Sequence, residues 1–447
     1  MTEEKKPEER KRRRTATEAA STVAPMVKAM IADVLGAKEE GKPIAYTFIY
    51  CCYDEIIRAM DIVPAWTENY AGICGAKRDA QRFLERAEAE NLSRSLCTYA
   101  LCGLGFDAWR EELGEMPPEP PWGGQARPDV MLGSGQMICD PRNKWYHAAQ
   151  HYMPDVPVYD VAMPWIPFED DYDYREVQDY YVKYIVKQLR GLVEFLEKHT
   201  GKKMDWDRLS EVVELADRTW DMVIEAYELR RAIPCPMGTG DAMNTMVPLT
   251  FMMGTQQAYD FFRDLRDELQ LKIANKEGII PDEKYRLLWG GGLPSWFALT
   301  DFNYFNSKGA VFPAEVTYRL IEPIGRLDLP KVSDPIEHIA WRWTKYWTYW
   351  HDKARKRPGS HPDVEHLINY IEDYTIDGVV MHEAFSCRSW HVGLIWHLNQ
   401  IKKIYKDIPS LILESDIVDI STYNEADTRA RIDAFIDTLE AVKSRGS

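Results

Sequence analysis

The stretch "GVVMHEAFSCRSWHVG", Gly378 to Gly393, decides how this chain folds. A short apolar run gives way to polar residues around Cys387, and a helical pattern begins beyond it. This is the signature of a buried parallel strand whose carboxyl end feeds a loop. Extended outward to "IDGVVMHEAFSCRSWHVGLIWHLNQIKKIYKDIPSLILESD", it shows the order strand, loop, cysteine, helix, proline, strand ending near an acid. The same order occurs in "PDVMLGSGQMICDPRNKWYHAAQHYMPDVPVYDVAMP", Pro128 to Pro164. Val130 precedes Cys139 by nine residues and Val379 precedes Cys387 by eight. Two α/β halves of one design would each present a cysteine beyond the carboxyl end of a strand, the edge where open parallel sheets bind ligands. Strand-helix-strand units also resemble one another by chance, so the repeat stands as an expectation.

At 447 residues the chain exceeds what one hydrophobic core supports. Residues 1–40 read as a tail and an amphipathic helix, with Val23, Met26, Val27, Met30, Ile31, Val34 and Leu35 on one face. Residues 41–172 read as a first α/β domain, with strands at Ile44–Tyr50, Pro128–Leu132 and Pro157–Trp165, a short extended piece near Ile62–Trp66 and a charged helix at Lys77–Ala89. Residues 173–283 carry long helical patterns without a strand signal and form a helical subdomain. Residues 284–447 resume the α/β rhythm through Tyr285–Gly292, Asp377–Met381 and Pro409–Asp416, with a final helix from Glu425. The expected fold is therefore α/β: two Rossmann-like or flavodoxin-like parallel-sheet domains with a helical subdomain between them.

A formal charge of −16, from 55 basic and 71 acidic residues, argues against a nucleic-acid partner. The one basic cluster, Lys11 to Thr15, lies among acidic residues and reads as a solvated terminus. No apolar run of spanning length and no signal-peptide core is evident, which predicts a cytoplasmic protein without a membrane partner. Eight cysteines spread over such a chain then read as buried thiols or metal ligands, not disulfides. No C-x-x-C pair is present, so any metal must draw its ligands from distant segments.

Several motifs fail on context. "GAKEEGKP", Gly36 to Pro43, nearly matches a phosphate loop, but it follows a helix, precedes a strand and ends in proline. "GTGDAM" and the glycines 290–292 read as turns or close backbone approach, so neither ATP nor NAD is indicated. The ten histidines contain no H-E-x-x-H, although His382 sits with Glu383 at a strand end, where acid/base chemistry is possible. "IAWRWTKYWTYWHD" reads as a helix packed on the core, with a flat pocket for an aromatic substrate as the minority alternative. The cysteines carry the strongest signal. Cys139 and Cys387 follow strands, and Cys97 in "SRSLCTYALCGLGF" stands where a helix begins. Singly, each reads as a small buried hydrophobe; jointly, they can hold one iron–sulfur cluster, and spacing alone does not choose.

At these residues the sequence resembles the subunit family shared by 2-hydroxyacyl-CoA dehydratases and ATP-dependent benzoyl-CoA reductases, on the side of the larger cluster-binding reductase subunit. The matching pieces are Leu96–Gly105, Val186–Glu211, Lys284–Trp296, Asp377–Trp390 and Leu413–Asp419, so the likeness runs from about residue 40 onward. It implies a [4Fe-4S] cluster on Cys97, Cys139 and Cys387. It also implies a related smaller cluster-binding subunit, a separate ATP-hydrolysing activator with its own [4Fe-4S] cluster, and reduced ferredoxin upstream. The implied activity is transfer of low-potential electrons to benzoyl-CoA or a similar aromatic acyl-CoA, giving a cyclic dienoyl-CoA. The alternatives are a radical (R)-2-hydroxyacyl-CoA dehydratase subunit and a cluster-carrying structural or electron-relay subunit. Glu68 and His382 are candidates for proton-transfer or polar roles. Thr98 after Cys97 fits the reductase branch, whereas "CDPR" at Cys139 has a dehydratase-like look. Cys51, Cys52, Cys74, Cys102 and Cys235 match no ligand position and are read as structural.

Overall fold

The computed structural model describes residues 17–133, 139–164, 166–168, 173–317 and 319–446, so the basic stretch Lys11–Thr15 lies outside the described residues. Among these, eight strands form two sheets: β1 (Ile44–Thr47), β2 (Val63–Trp66), β3 (Val130–Gly133), β4 (Val158–Asp160), β5 (Tyr285–Trp289), β6 (Ala310–Glu315), β7 (Gly378–Ala384) and β8 (Ser410–Ser415). The orders are β2-β1-β3-β4 and β6-β5-β7-β8, and every pairing is parallel. The two sheets thus share one permuted topology, and the third strand of each, β3 or β7, leads to Cys139 or Cys387. The repeat read from the sequence is a structural repeat. The inner strands β1, β3 and β5 are buried along their whole length, because helices cover both faces of a parallel sheet; hence they read as continuous apolar runs.

Strand ends differ from expectation in the first sheet. β1 stops at Thr47, not Tyr50, and β4 occupies only Val158–Asp160 of the expected Pro157–Trp165, with Trp165 outside the described residues. The charged helix begins at Gln81, and a helix over Thr67–Ala76, not read from the sequence, precedes it. That helix is buried on nearly all sides, which erases the amphipathic period. Strand β6 is likewise absent from the elements that the sequence pattern announces.

Helices Gln178–Thr200, Trp206–Leu229 and Gln256–Ala274 form the strand-free layer. A fourth member, Pro335–Arg355, comes from the second α/β segment and packs on the first two. Arg342 of that helix is buried; it donates to Asp217 at 2.7 Å and also pairs with Glu55 of helix Asp54–Ala59, so one guanidinium ties three segments together. Truncation leaves the buried Glu55 carboxylate without its partner, while Asp217 keeps His338 Nε2 at 2.8 Å. Arg342→Ala is therefore expected to destabilise the protein by about 3–5 kcal/mol, read as a lowered denaturation midpoint.

The amphipathic first helix spans Val23–Gly36 and buries Val23, Val27, Ile31 and Val34 against helix Thr239–Thr250 and β2. Contrary to the expectation of no spanning run, Glu18–Gly36, 19 residues, is long and apolar enough to cross a bilayer by length and composition. In the structure one face of it is docked on the protein.

Candidate functional site

The three singled-out cysteines lie at helix starts. Cys97 is the N-cap residue of Thr98–Leu113, Cys387 that of the short helix Arg388–His391, and Cys139 precedes helix Arg142–Ala149. First-turn amides face the sulfurs: those of Tyr99 and Ala100 for Cys97, Ser389 and Trp390 for Cys387, and Arg142 for Cys139. All three thiols line one cavity of about 580 Å³ between the two sheets. Cys51, Cys52, Cys74, Cys102 and Cys235 are buried elsewhere and do not line it. Cys235, for example, donates to the Met237 carbonyl at 3.1 Å.

Burial pushes the Cys139 thiol up to about 11 and the Cys387 thiol up to about 12, while Cys97 is raised well above its usual value by burial and by the other two sulfurs. Three mutually repelling thiolates are unfavourable here unless a cationic centre compensates them. Among the described residues no group of three or more Cys, His, Asp or Glu side chains is gathered tightly enough for one metal ion. A multi-iron cluster makes a different demand. Each thiolate binds a different iron, so the sulfurs stand farther apart than around a single ion. Three thiols around a shared cavity, each with amide donors, fit that donor chemistry.

Asp416, at the exit of β8, fixes two of the three loops. Its carboxylate accepts from Thr98 Oγ1 at 2.5 Å, from the Ser386 amide at 3.1 Å and from the amides of Val418 and Asp419 at 3.1 and 3.2 Å. Thr98 Oγ1 also lies 3.0 Å from Ser386 Oγ. The residue after Cys97 is thereby tied to the residue before Cys387. The sequence marked Asp416 as an acid at a strand end, and nothing in its spacing assigned it this role.

Glu68 lines the cavity, but its carboxylate is engaged by Arg142, whose Nε donates at 2.8 Å and whose Nη2 forms a second contact. Arg142 also donates to the Ile49 carbonyl at 2.8 Å. Burial opposes the guanidinium charge, but Glu68 and the nearby Cys139 outweigh it, so Arg142 stays cationic at the cavity wall. The fixed polar feature is the pair, with Glu68 holding Arg142 in place.

His382 does not line the cysteine cavity. It is buried behind β7, where Nδ1 meets the Leu293 carbonyl at 2.6 Å and Nε2 lies 2.9 Å from Ser415 Oγ, with Trp289 stacked alongside. Gly291 passes so close that a Cβ there would sit 2.4 Å from the His382 amide, which explains that part of the triple glycine. Burial lowers His382 to about 4, and it does the same to His366 of helix Pro362–Asp373. Both are neutral when folded, against an ordinary value of 6.5. Unfolded rings take up protons below that value and folded ones do not. Stability is therefore complete above 6.5 and lost as pH falls toward 4, by about 1.4 kcal/mol per pH unit for each ring. Urea midpoints should fall between pH 7.5 and 5.5; a midpoint that rises contradicts the assignment.

The fold and site define a class: paired parallel-sheet halves whose third strands, with one helix start, deliver three thiols to a common cleft. The sequence profile of the family described as "2-hydroxyglutaryl-CoA dehydratase, D-component" matches residues 50–439, and the chain belongs to that family. It is 24% identical over 92% of each chain to a benzoyl-CoA reductase subunit of Thauera aromatica. It is 25% identical, again over 92% of each, to the (R)-phenyllactyl-CoA dehydratase alpha subunit of Clostridium sporogenes. Similarity to the (R)-2-hydroxyglutaryl-CoA dehydratase alpha subunit of Acidaminococcus fermentans is 24% over 70% of this chain and 61% of that one. These relatives are enzyme subunits, which supports an enzymatic role within a hetero-oligomer.

Proposed function

We propose that the chain is the iron–sulfur catalytic subunit of a benzoyl-CoA reductase-type enzyme, with Cys97, Cys139 and Cys387 holding a [4Fe-4S] cluster. The observation that carries this reading is the convergence of those three thiols, from segments far apart in sequence, on one cavity. Held by those three thiolates, such a cluster would supply low-potential single electrons. The protein's own contribution is positional and electrostatic. Amide donors favour the thiolate form of each cysteine, apolar walls exclude water, and Arg142, fixed by Glu68, offers a positive charge to an oxygen that gains negative charge in the cavity. A thioester carbonyl receiving an electron is such an oxygen. A smaller related subunit, a separate ATP-hydrolysing activator and reduced ferredoxin complete the proposed system, which we place in the cytoplasm.

The second reading is a 2-hydroxyacyl-CoA dehydratase subunit, favoured by the dehydratases among the relatives. Electron stoichiometry separates the two. With partner subunit, activator and ATP under argon, benzoyl-CoA reduction must consume two electrons per diene formed, whereas dehydration of a 2-hydroxyacyl-CoA proceeds with catalytic electrons. Turnover of the hydroxyacyl thioester alone overturns the reductase assignment. Absence of either turnover, with no acyl-CoA contact in a bound structure, leaves an electron-relay role.

A further inference from the structure

A second chamber, about 640 Å³, adjoins the cysteine cavity, and Tyr50, Ser389 and Trp390 line both. Trp390 is wedged into the place a side chain at Gly292 would need, since a Cβ there would lie 2.6 Å from its ring, so this part of the shared wall is fixed. The far walls come from Trp343 and Trp350 on helix Pro335–Arg355, His366 on helix Pro362–Asp373 and Trp396 on helix Leu394–Ile404. No lysine or arginine lines the chamber among the described residues, and its one acidic side chain is Asp363. Phosphates need cationic or amide-rich partners, so the nucleotide end of a CoA thioester does not belong here. Of the four lining histidines, His351, His366 and His397 are pushed toward the neutral form by burial. Indole and imidazole faces present flat, apolar, polarisable surfaces suited to stacking on a ring. The space far exceeds what one benzene ring fills.

We propose that this chamber binds the acyl portion of the substrate as a neutral, flat ring system larger than a single benzene ring, with the thioester end directed past Trp390 toward the three cysteines. The proposal rests on the reading that an acyl thioester reacts in the cysteine cavity. It assigns Trp350 and Trp396 as specificity-determining residues. Since they act on the ring and not on the thioester, their contribution is measurable without CoA and without turnover.

The test is calorimetric titration of the full chain with 2-naphthamide, benzamide and 2-naphthoate. 2-Naphthamide is expected to bind about tenfold more tightly than benzamide, the gain from burying four further ring carbons, and more tightly than the anionic naphthoate. Trp350→Leu and Trp396→Ala should each weaken naphthamide about tenfold. The second is partly exposed, at 41%, so its removal leaves the core packed. Cys235→Ala, which lines neither cavity, should leave naphthamide binding unchanged. Equal affinity for the two amides, or indifference to both tryptophan variants, overturns the chamber assignment. If naphthamide binding responds as stated while the cysteine variants retain their iron, the chamber stands and the reading of the cysteine cavity falls.

Discussion

Single replacement of Cys97, Cys139 or Cys387 by alanine is expected to strip an oxygen-free preparation of its brown colour and of the about four irons and four sulfides of one such cluster, while Cys235→Ala retains them. The contrast follows from position. Cys97, Cys139 and Cys387 are partly exposed, whereas Cys235 is buried, so access to a shared space already separates them. Cys235 is satisfied locally by the Met237 carbonyl and is remote from the cavity, whereas the other three share one space and receive amide donors from a following helical turn. A cluster reduced from three thiolates to two on the protein side loses both a bond and the charge that balances iron, which is why one substitution suffices. Iron and acid-labile sulfide analysis with visible absorption reads the outcome. Equal retention in all four variants refutes the ligand set.

The second large effect concerns a residue that touches no sulfur in the ligand set. Asp416→Ala leaves the amides of Ser386, Val418 and Asp419 without their side-chain acceptor and Thr98 with only Ser386 Oγ, all in a site where Asp416 itself is 2% exposed. Loss of hydrogen bonds to a buried carboxylate is expected to cost about 3 kcal/mol or more. It also frees the Cys97 and Cys387 loops to part, so iron content should fall together with the thermal midpoint. Asp416→Asn keeps one acceptor oxygen and should lie between. A variant as stable and iron-rich as the parent shows that the two loops are held by something else.

Much of the fold was legible because its causes are local. The apolar runs at Ile44, Val130, Tyr285 and Gly378 announce buried parallel strands, and the helical periods of 178–200 and 206–229 announce amphipathic helices whose buried faces the structure confirms. Thr67–Ala76 was not legible, because a helix buried all round loses its period. The aromatic run at Trp341–Trp350 was read as core packing, with a flat pocket as the minority alternative; it does pack, and Trp343 and Trp350 of the same helix also wall a chamber, whose extent no periodicity reveals. His382 stands at a strand end as the sequence says, yet it points into packed interior.

By itself the sequence determined which segments are strands or amphipathic helices, and that Cys139 and Cys387 follow strands while Cys97 stands at a helix start, because turn chemistry and side-chain period act over a few residues. Only the tertiary structure decided which of those ends meet. Cys97 caps helix Thr98–Leu113, Cys139 follows the third strand of one sheet and Cys387 that of the other; the three share one cavity, with the Cys97 and Cys387 loops fastened by the carboxylate of Asp416. Contacts across hundreds of residues depend on the relative placement of whole layers, and no local pattern encodes that.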